Sequence, residues 1–323
     1  VVISYQQTIR AYPKGASAYL VASGELGKLP GLTAAASLLN DYVLTVSVSI
    51  AAGVAALSSI FAAPTYVYSV SVFGLLVYGM YLYFTGTLPT YTAPPEWNRE
   101  LQEEAVGALS ILLVLRAFAS GAVGLSGTEA ISDGVPAFKP PEDRNARITL
   151  LMMAGIFGTL FLGISFLAAQ LAIVPDPSEA RTVLSQLVAS LVGSGPYFWL
   201  VQVSTAVILV LAANTAFADF PRLSYFLARD SYLPHQFTHR GDRLAFSTGI
   251  LALAVVAGIL LVLFRGSVTA LIPLYTLGVF TVFTLSQSGM VAHWRRQRGP
   301  GWKWKAAING LATITLPWRS WSR

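Results

Sequence analysis

The sequence has no cysteine, which excludes structural disulfides and thiolate metal sites. Charge is scarce: charged residues make up 11% of 323 positions, about half of what a soluble domain carries. Histidine is scarce too, limited to His235, His239 and His293. His235 and His239 stand four apart, but no third ligand clusters with them. No Walker motif is present, so ATP-driven chemistry finds no support. No catalytic constellation appears, so the chain reads as a non-enzyme that needs no cofactor. The formal charge of +6 does not point to nucleic acid. Its lysines and arginines sit in short connections, and no basic face with interleaved aromatics forms. A signal peptide is also missing. Val1-Val2-Ile3-Ser4-Tyr5 has neither a methionine nor a charged leader, so the chain is expected to start inside a longer protein.

Apolar sequence is abundant. Hydrophobic residues reach 54% and the mean hydropathy is +0.62. Several runs exceed the roughly 20 residues that a helix needs to cross a bilayer. Segments are expected near Leu32–Ala62, Tyr66–Leu88, Ala105–Phe138, Ile148–Val174, Tyr197–Phe220, Leu244–Phe264 and Ser267–Ala292. Residues 1–12 read as the end of an earlier helix, and Pro175 to Ser190 as a short interfacial one. The fold class is therefore an all-α polytopic membrane protein, with the lipid bilayer as its first partner.

Loop charges test this count. Arg10, Lys14 and Lys28 share one connection, and Lys139, Arg144 and Arg147 another. Arg222, Arg229, Arg240 and Arg243 occupy a third, and Arg295, Arg296, Arg298, Lys303 and Lys305 the tail. Lysine and arginine excess marks the cytoplasmic side. Three crossings between the first two of these loops would put them on opposite sides, so one crossing is expected to be missing. The abrupt join Ser59-Ile60-Phe61-Ala62-Ala63-Pro64 is where it would have been.

Polar residues inside such segments are the candidates for function. Asp41, Thr45 and Ser49 recur at i, i+4 and i+8, which lines three oxygens along one helix face. An acid in a span is costly unless it faces a cavity or a partner; the alternative is a helix entrance where Asp41 snorkels to the headgroups. The third segment reads Gly121-Ala-Val-Gly124-Leu-Ser126-Gly127-Thr128-Glu129, and its glycine density invites a break in the helix. Irregular backbone at membrane depth survives where it lines a site. Glu129, with Ser126 and Thr128, could ligate a small hard cation or carry a proton; equally, it could tie the broken helix together by a hydrogen bond. Arg116 reads as snorkelling. Asn214 and Thr215 are expected as interhelical hydrogen bonding, or as pathway lining. Asp219 is expected to be solvated near the cytoplasmic end. Trp294, Trp302, Trp304, Trp318 and Trp321 read as belt or peripheral residues.

Three stretches carry a resemblance to the amino acid–polyamine–organocation superfamily of secondary transporters. They are Tyr12-Pro13-Lys14-Gly15-Ala16-Ser17-Ala18-Tyr19 with Pro30-Gly31, Leu125-Ser126-Gly127-Thr128-Glu129-Ala130, and Pro221-Arg222 with Leu227-Ala228-Arg229-Asp230 and Leu233-Pro234. Within it, the run Asp41 to Ala56, the run Gln236 to Leu244 and the run Thr284 to Val291 resemble KimA-type potassium importers. The resemblance implies a partial inverted-repeat helical bundle of the LeuT type in the inner membrane. It also implies a proton-coupled potassium site, with Asp41, Thr45, Ser49, Ser126 and Glu129 matching the ligands. Potassium itself would sit at Asp41, Thr45, Ser126 and Glu129. The expected partners are potassium and a proton, with a homodimer among the assemblies it allows.

The resemblance also sets expected departures. Residues 1–292 would form the transporter domain with its first and fourth core helices missing. Residues 293–323 would form a basic cytoplasmic tail that leaves the family pattern after about residue 310. Two other readings remain open: an amino acid permease of the same fold, and a non-transporting remnant or membrane sensor.

Overall fold

The computed structural model describes residues 1–13, 18–56, 65–92, 121, 127–176, 181–238 and 247–315. Among them all regular structure is helical. The helices are α1 (Val2–Ala11), α2 (Ala18–Glu25), α3 (Lys28–Ala56), α4 (Thr65–Phe84) and α5 (Gly127–Asp133). They continue with α6 (Glu142–Gln170), α7 (Val183–Val192), α8 (Pro196–Arg229), α9 (Ser247–Leu263), α10 (Val268–Gln297) and α11 (Trp302–Thr315).

α3, α6, α8 and α10 are long and apolar enough to span a membrane. The 29 residues of α3 reach roughly 43 Å at 1.5 Å per residue, more than a hydrocarbon core of roughly 30 Å. α4 and α9, also expected as segments, are apolar helices of 20 and 17 residues. Most of the expected segment Ala105–Phe138 lies outside the described residues, as does the join at residues 58–64 where a crossing was expected to be missing.

α3 is the axis of the bundle, packed by α2, α8, α9 and α10. Its Leu38, Leu44 and Val46 are almost wholly buried and join Phe220 and Leu223 of α8, Leu253 and Ala257 of α9, and Tyr275, Val279 and Phe283 of α10 in one core. A second core lies to one side, where Val72, Leu75 and Leu76 of α4 meet Leu167 and Leu171 of α6 and Leu187, Val188 and Leu191 of α7. α6 turns its other flank outward, with Met152 61% and Leu162 68% exposed. On a spanning helix such an apolar face is a lipid face.

Local signals explain several ends. Thr182 caps α7, its Oγ1 accepting from the Ser185 amide at 3.1 Å, and Ser267 caps α10 by accepting from the Ala270 amide at 3.2 Å. Two extensions differ from the sequence expectation. α8 runs on through Pro221 to Arg229 instead of stopping at Phe220, and Pro221 is buried where α9 crosses. A side chain at Gly249 of α9 would come within 3.0 Å of Pro221 Cα, so glycine permits this crossing. The bundle also continues past residue 292. α10 extends to Gln297, and α11 packs on it and on α1 through the fully buried Asn309. Asn309 Nδ2 donates to Gln7 Oε1 at 2.7 Å, and the single Ser4 hydroxyl proton is shared between Asn309 Oδ1 and Gln287 Oε1. Trp294 is not peripheral either: it is 8% exposed, with the Lys305 ammonium 4.4 Å from its ring centroid.

Candidate functional site

The axial helix places Asp41 in the middle of the bundle, 8% exposed. Among the described residues no donor reaches its Oδ1. One turn along, the Thr45 hydroxyl lies 3.0 Å from the Tyr275 hydroxyl of α10. One further turn places Ser49, also buried. The expected polar face of α3 is therefore turned inward, and the Asp41 side chain is enclosed by protein. α10 comes close at this level because of Gly278, where a Cβ would meet Asn40 Nδ2 at 3.1 Å and the Ser37 carbonyl at 3.4 Å. Off that face, Ser47 donates to the Val43 carbonyl at 2.9 Å and the Ala257 carbonyl at 3.2 Å, which ties α3 to α9.

Glu129 sits in the first turn of α5, buried, and close enough to Asp41 and Asp133 for their charges to interact. Both of its oxygens are engaged. Tyr5 Oη of α1 donates to Oε2 at 3.1 Å, and the amide of Ala18, the first residue of α2, donates to Oε1 at 3.1 Å. In this conformation Glu129 fastens three helices together, and no hydrogen bond links it to Asp41 or Thr45. Ser126 lies outside the described residues. The expected helix break does too: Gly121 is helical and α5 begins at Gly127, but residues 122–126 are not described.

Sequence reading missed Asp133. It follows Glu129 by four residues on α5, and Tyr42 Oη of α3 donates to its Oδ2 at 3.2 Å. Its Oδ1 is enclosed with no donor among the described residues. Tyr42 is 7% exposed and has Asp133, Asp219, Glu129 and Asp41 within electrostatic reach. Asp219 is not solvated as expected. Its side chain is 14% exposed and lies 3.7 Å from Arg222 Nη1, whose own side chain is 55% exposed. The i,i+4 spacing of Glu129 and Asp133 was the available signal. Tyr275 carried no sequence signal, since its role depends on α10 crossing α3.

Asn214 and Thr215 are not brought to this cluster. Both are on the exposed side of α8, and the Thr215 hydroxyl donates back to the Ala212 carbonyl at 2.7 Å. Among the described residues no three His, Asp or Glu converge closely enough to chelate a metal ion. What the geometry offers is two enclosed carboxylate oxygens without a donor among the described residues, on Asp41 and Asp133, with the Thr45 and Tyr275 hydroxyls one turn from Asp41.

α2 straps one end of the bundle. Tyr19 Oη donates to Asp230 Oδ2 at 2.6 Å beside the end of α8. At the far end, Glu25 Oε1 accepts from Tyr12 Oη at 2.9 Å and lies 2.8 Å from His293 Nδ1, while Oε2 is 3.2 Å from Arg296 Nη1. Burial pushes the Glu25 carboxyl up. Hydrogen bonds from His293 and Tyr12, with the charge of Arg296, outweigh that and hold it below the ordinary range.

Two comparisons bear on this arrangement. A sequence profile described as amino acid permease matches residues 75–316. The chain is also similar to the potassium transporter KimA of Bacillus subtilis (strain 168), with 40% identity over 347 aligned residues covering 97% of the chain and 56% of the relative. The chain thus spans little more than half the length of that relative. The aligned stretch is longer than the chain's own 323 residues, so the relative holds residues inside it that this chain lacks.

Proposed function

The chain belongs to the amino acid permease family, and from that premise we propose that it moves potassium together with a proton across the membrane at a site centred on Asp41. Its fold is the all-helical, multi-pass LeuT-type bundle of that family. The observation that carries the substrate is the Asp41 Oδ1 atom, buried in a spanning helix with no donor of its own among the described residues. A buried carboxylate oxygen of that kind is costly until a positive charge meets it. Thr45 and Ser49 supply neutral oxygens along the same face, the Tyr275 hydroxyl of α10 stands beside Thr45, and Glu129 of α5 adds a carboxylate; Ser126, outside the described residues, remains in the proposed set. Glu129 joins it when α1 or α2 lets go of one of its oxygens. Potassium is the chosen ion because the 40%-identical relative is a potassium transporter.

Reconstituted vesicles test this reading. Radioactive rubidium, a potassium surrogate, is expected to enter with a proton gradient and to be displaced by potassium. Uptake of a labelled amino acid mixture with no rubidium uptake would show a permease for amino acids. Absence of both, in a folded protein, would show a chain that does not transport.

A further inference from the structure

Basic residues gather at one end of the bundle, and the α2 strap shows that they share a side. Tyr19 reaches Asp230 beside the end of α8, and Glu25 reaches His293 and Arg296 at the end of α10. Several arginines there have an acid of their own. Arg222 lies 3.7 Å from Asp219, Arg229 3.5 Å from Asp230, and Arg296 3.2 Å from Glu25. Arg10 and Lys28, near the same end, are the lone basic residues of α1 and α3. The turn from α10 to α11 is different. Five of the 21 lysines and arginines fall within residues 295–305, and no acidic residue occurs from Arg243 to Arg323. Arg295, Arg298 and Lys303 are exposed and make no ion pair among the described residues. Arg298 is fixed in the turn: its Nε donates to the Arg295 carbonyl at 3.3 Å, and its guanidinium lies 6.0 Å from the Trp302 ring centroid. The anion that matches these cations must come from outside the chain.

Beside this turn α11 presents an exposed apolar face. Lys303, Ala307 and Leu311 recur at i, i+4 and i+8, so the cation tops an apolar strip. Leu311 is 66% exposed, and Trp304, next to Lys303, is 75% exposed. A free phosphate would meet the cations and leave the strip bare. A neutral lipid would cover the strip and leave the cations unmatched. We propose that the α10–α11 turn binds an anionic phospholipid, its phosphate among Arg295, Arg298 and Lys303 and an acyl chain along Trp304, Ala307 and Leu311. The lipid belongs to the leaflet on the lysine- and arginine-rich side, which is the cytoplasmic one and carries negative surface charge. Tryptophan suits the headgroup level, where an apolar ring and a wet N–H are both served. Arg296 and Lys305 are engaged inside the protein, with Glu25 and with the Trp294 ring 4.4 Å from the ammonium. The lipid offsets the repulsion among the three remaining cations, and so steadies α11 against α10. A ligand that binds only the folded chain raises its melting temperature. The site is separate from the Asp41 cluster and does not depend on what the chain transports.

The test titrates the purified full chain, in a neutral detergent, with short-chain phosphatidylglycerol. Short-chain phosphatidylcholine and glycerol 3-phosphate are titrated in parallel, and melting temperature is read throughout. Phosphatidylglycerol is expected to raise the melting temperature in a saturable way, and the other two to leave it unchanged. Arg298→Gln combined with Lys303→Gln should raise the half-saturating phosphatidylglycerol concentration by about tenfold or more, since each basic residue at such a surface is worth roughly 1 kcal/mol. Arg10→Gln combined with Lys28→Gln removes the same charge from the same side and should leave that concentration within about twofold of the parent's. Arg298→Lys combined with Lys303→Arg keeps the charge and should bind as the parent does, which separates loss of the site from damage to the turn. Equal weakening by the two glutamine pairs would overturn the proposal, because attraction would then follow net charge alone. A shift as large with phosphatidylcholine, or with glycerol 3-phosphate, would overturn it too, the first by removing the need for an anion and the second by removing the need for a lipid. No shift with any of the three would do the same.

Discussion

The bundle around α3 and the layer formed by α4, α6 and α7 are both helical and both apolar, yet they are built differently. Around α3 the helices meet backbone to backbone, and polar groups are buried among them. A Cβ at Gly31 would fall 2.8 Å from the Ser23 Cα, and one at Gly289 would fall 3.2 Å from the Val21 carbonyl. In the outer layer the contacts are leucine tips: a Cβ at Gly79 meets Leu167 Cδ1 at 2.6 Å. A leucine tip can rotate away, and a backbone cannot. Lipid tails are as apolar as leucine, so the outer layer gains little from burial and holds largely by packing, with Tyr91 Oη donating to Gln186 Oε1 at 2.6 Å and Tyr197 Oη to the Ser71 carbonyl. The inner bundle adds fixed hydrogen bonds to its close packing, and that rigidity suits a site whose oxygens must hold their positions.

The largest effect that could break this contrast is on transport. Asp41→Asn should lower rubidium uptake by about tenfold or more, the equivalent of roughly 1.4 kcal/mol of lost ion stabilisation. Leu162→Ala on the outward face of α6 should leave uptake unchanged. Equal losses from both would erase the distinction between site and shell. Next comes packing. Gly31→Ala is expected to cost about 1–3 kcal/mol of stability because backbone must shift. Gly79→Ala should cost about 1 kcal/mol or less, because Leu167 can move aside. Thermal unfolding of the two variants in the same detergent ranks them.

A smaller effect belongs to the strap. The Glu25 carboxyl is held below its ordinary value of 4.5 in the folded chain. A lowered folded pKa stabilises the fold fully above the unfolded value, and that contribution is lost as pH falls through the folded one. Stability should therefore decline as pH drops below about 4.5, and Glu25→Gln should show less of that decline while being less stable at neutral pH. Melting curves across acid pH check this. An unchanged pH profile in Glu25→Gln would show that the contacts with His293, Tyr12 and Arg296 add nothing to folding.

Much of the spanning architecture was legible in the sequence, because long apolar runs report bilayer length directly. The polar face of α3 was legible too: Asp41, Thr45 and Ser49 share a period that needs no tertiary information. Glu129 was found by its setting among glycines; the alternative was that it ties the broken helix together, whereas its bonds run to Tyr5 of α1 and Ala18 of α2. What escaped notice depends on crossings. Tyr275 and Tyr42 read as ordinary aromatics until α10 and α5 pass beside them. Asp219 reads as a solvated acid near the cytoplasmic end and Asp133 drew no reading at all, and only the packing of α3, α5 and α8 shows both turned toward the protein. His293 and Asn309 fell in a basic stretch that reads as a solvated tail, because charge density around them masks the buried face of α10 and α11.

The central claim is that a potassium ion meets the donorless oxygen of Asp41. Isothermal titration of the purified chain with KCl, against NaCl and a neutral amino acid, tests it most directly. The account predicts heat from potassium in the parent, none from the amino acid, and loss of the potassium signal in Asp41→Asn with melting behaviour retained. Potassium binding of equal strength in parent and Asp41→Asn would contradict it.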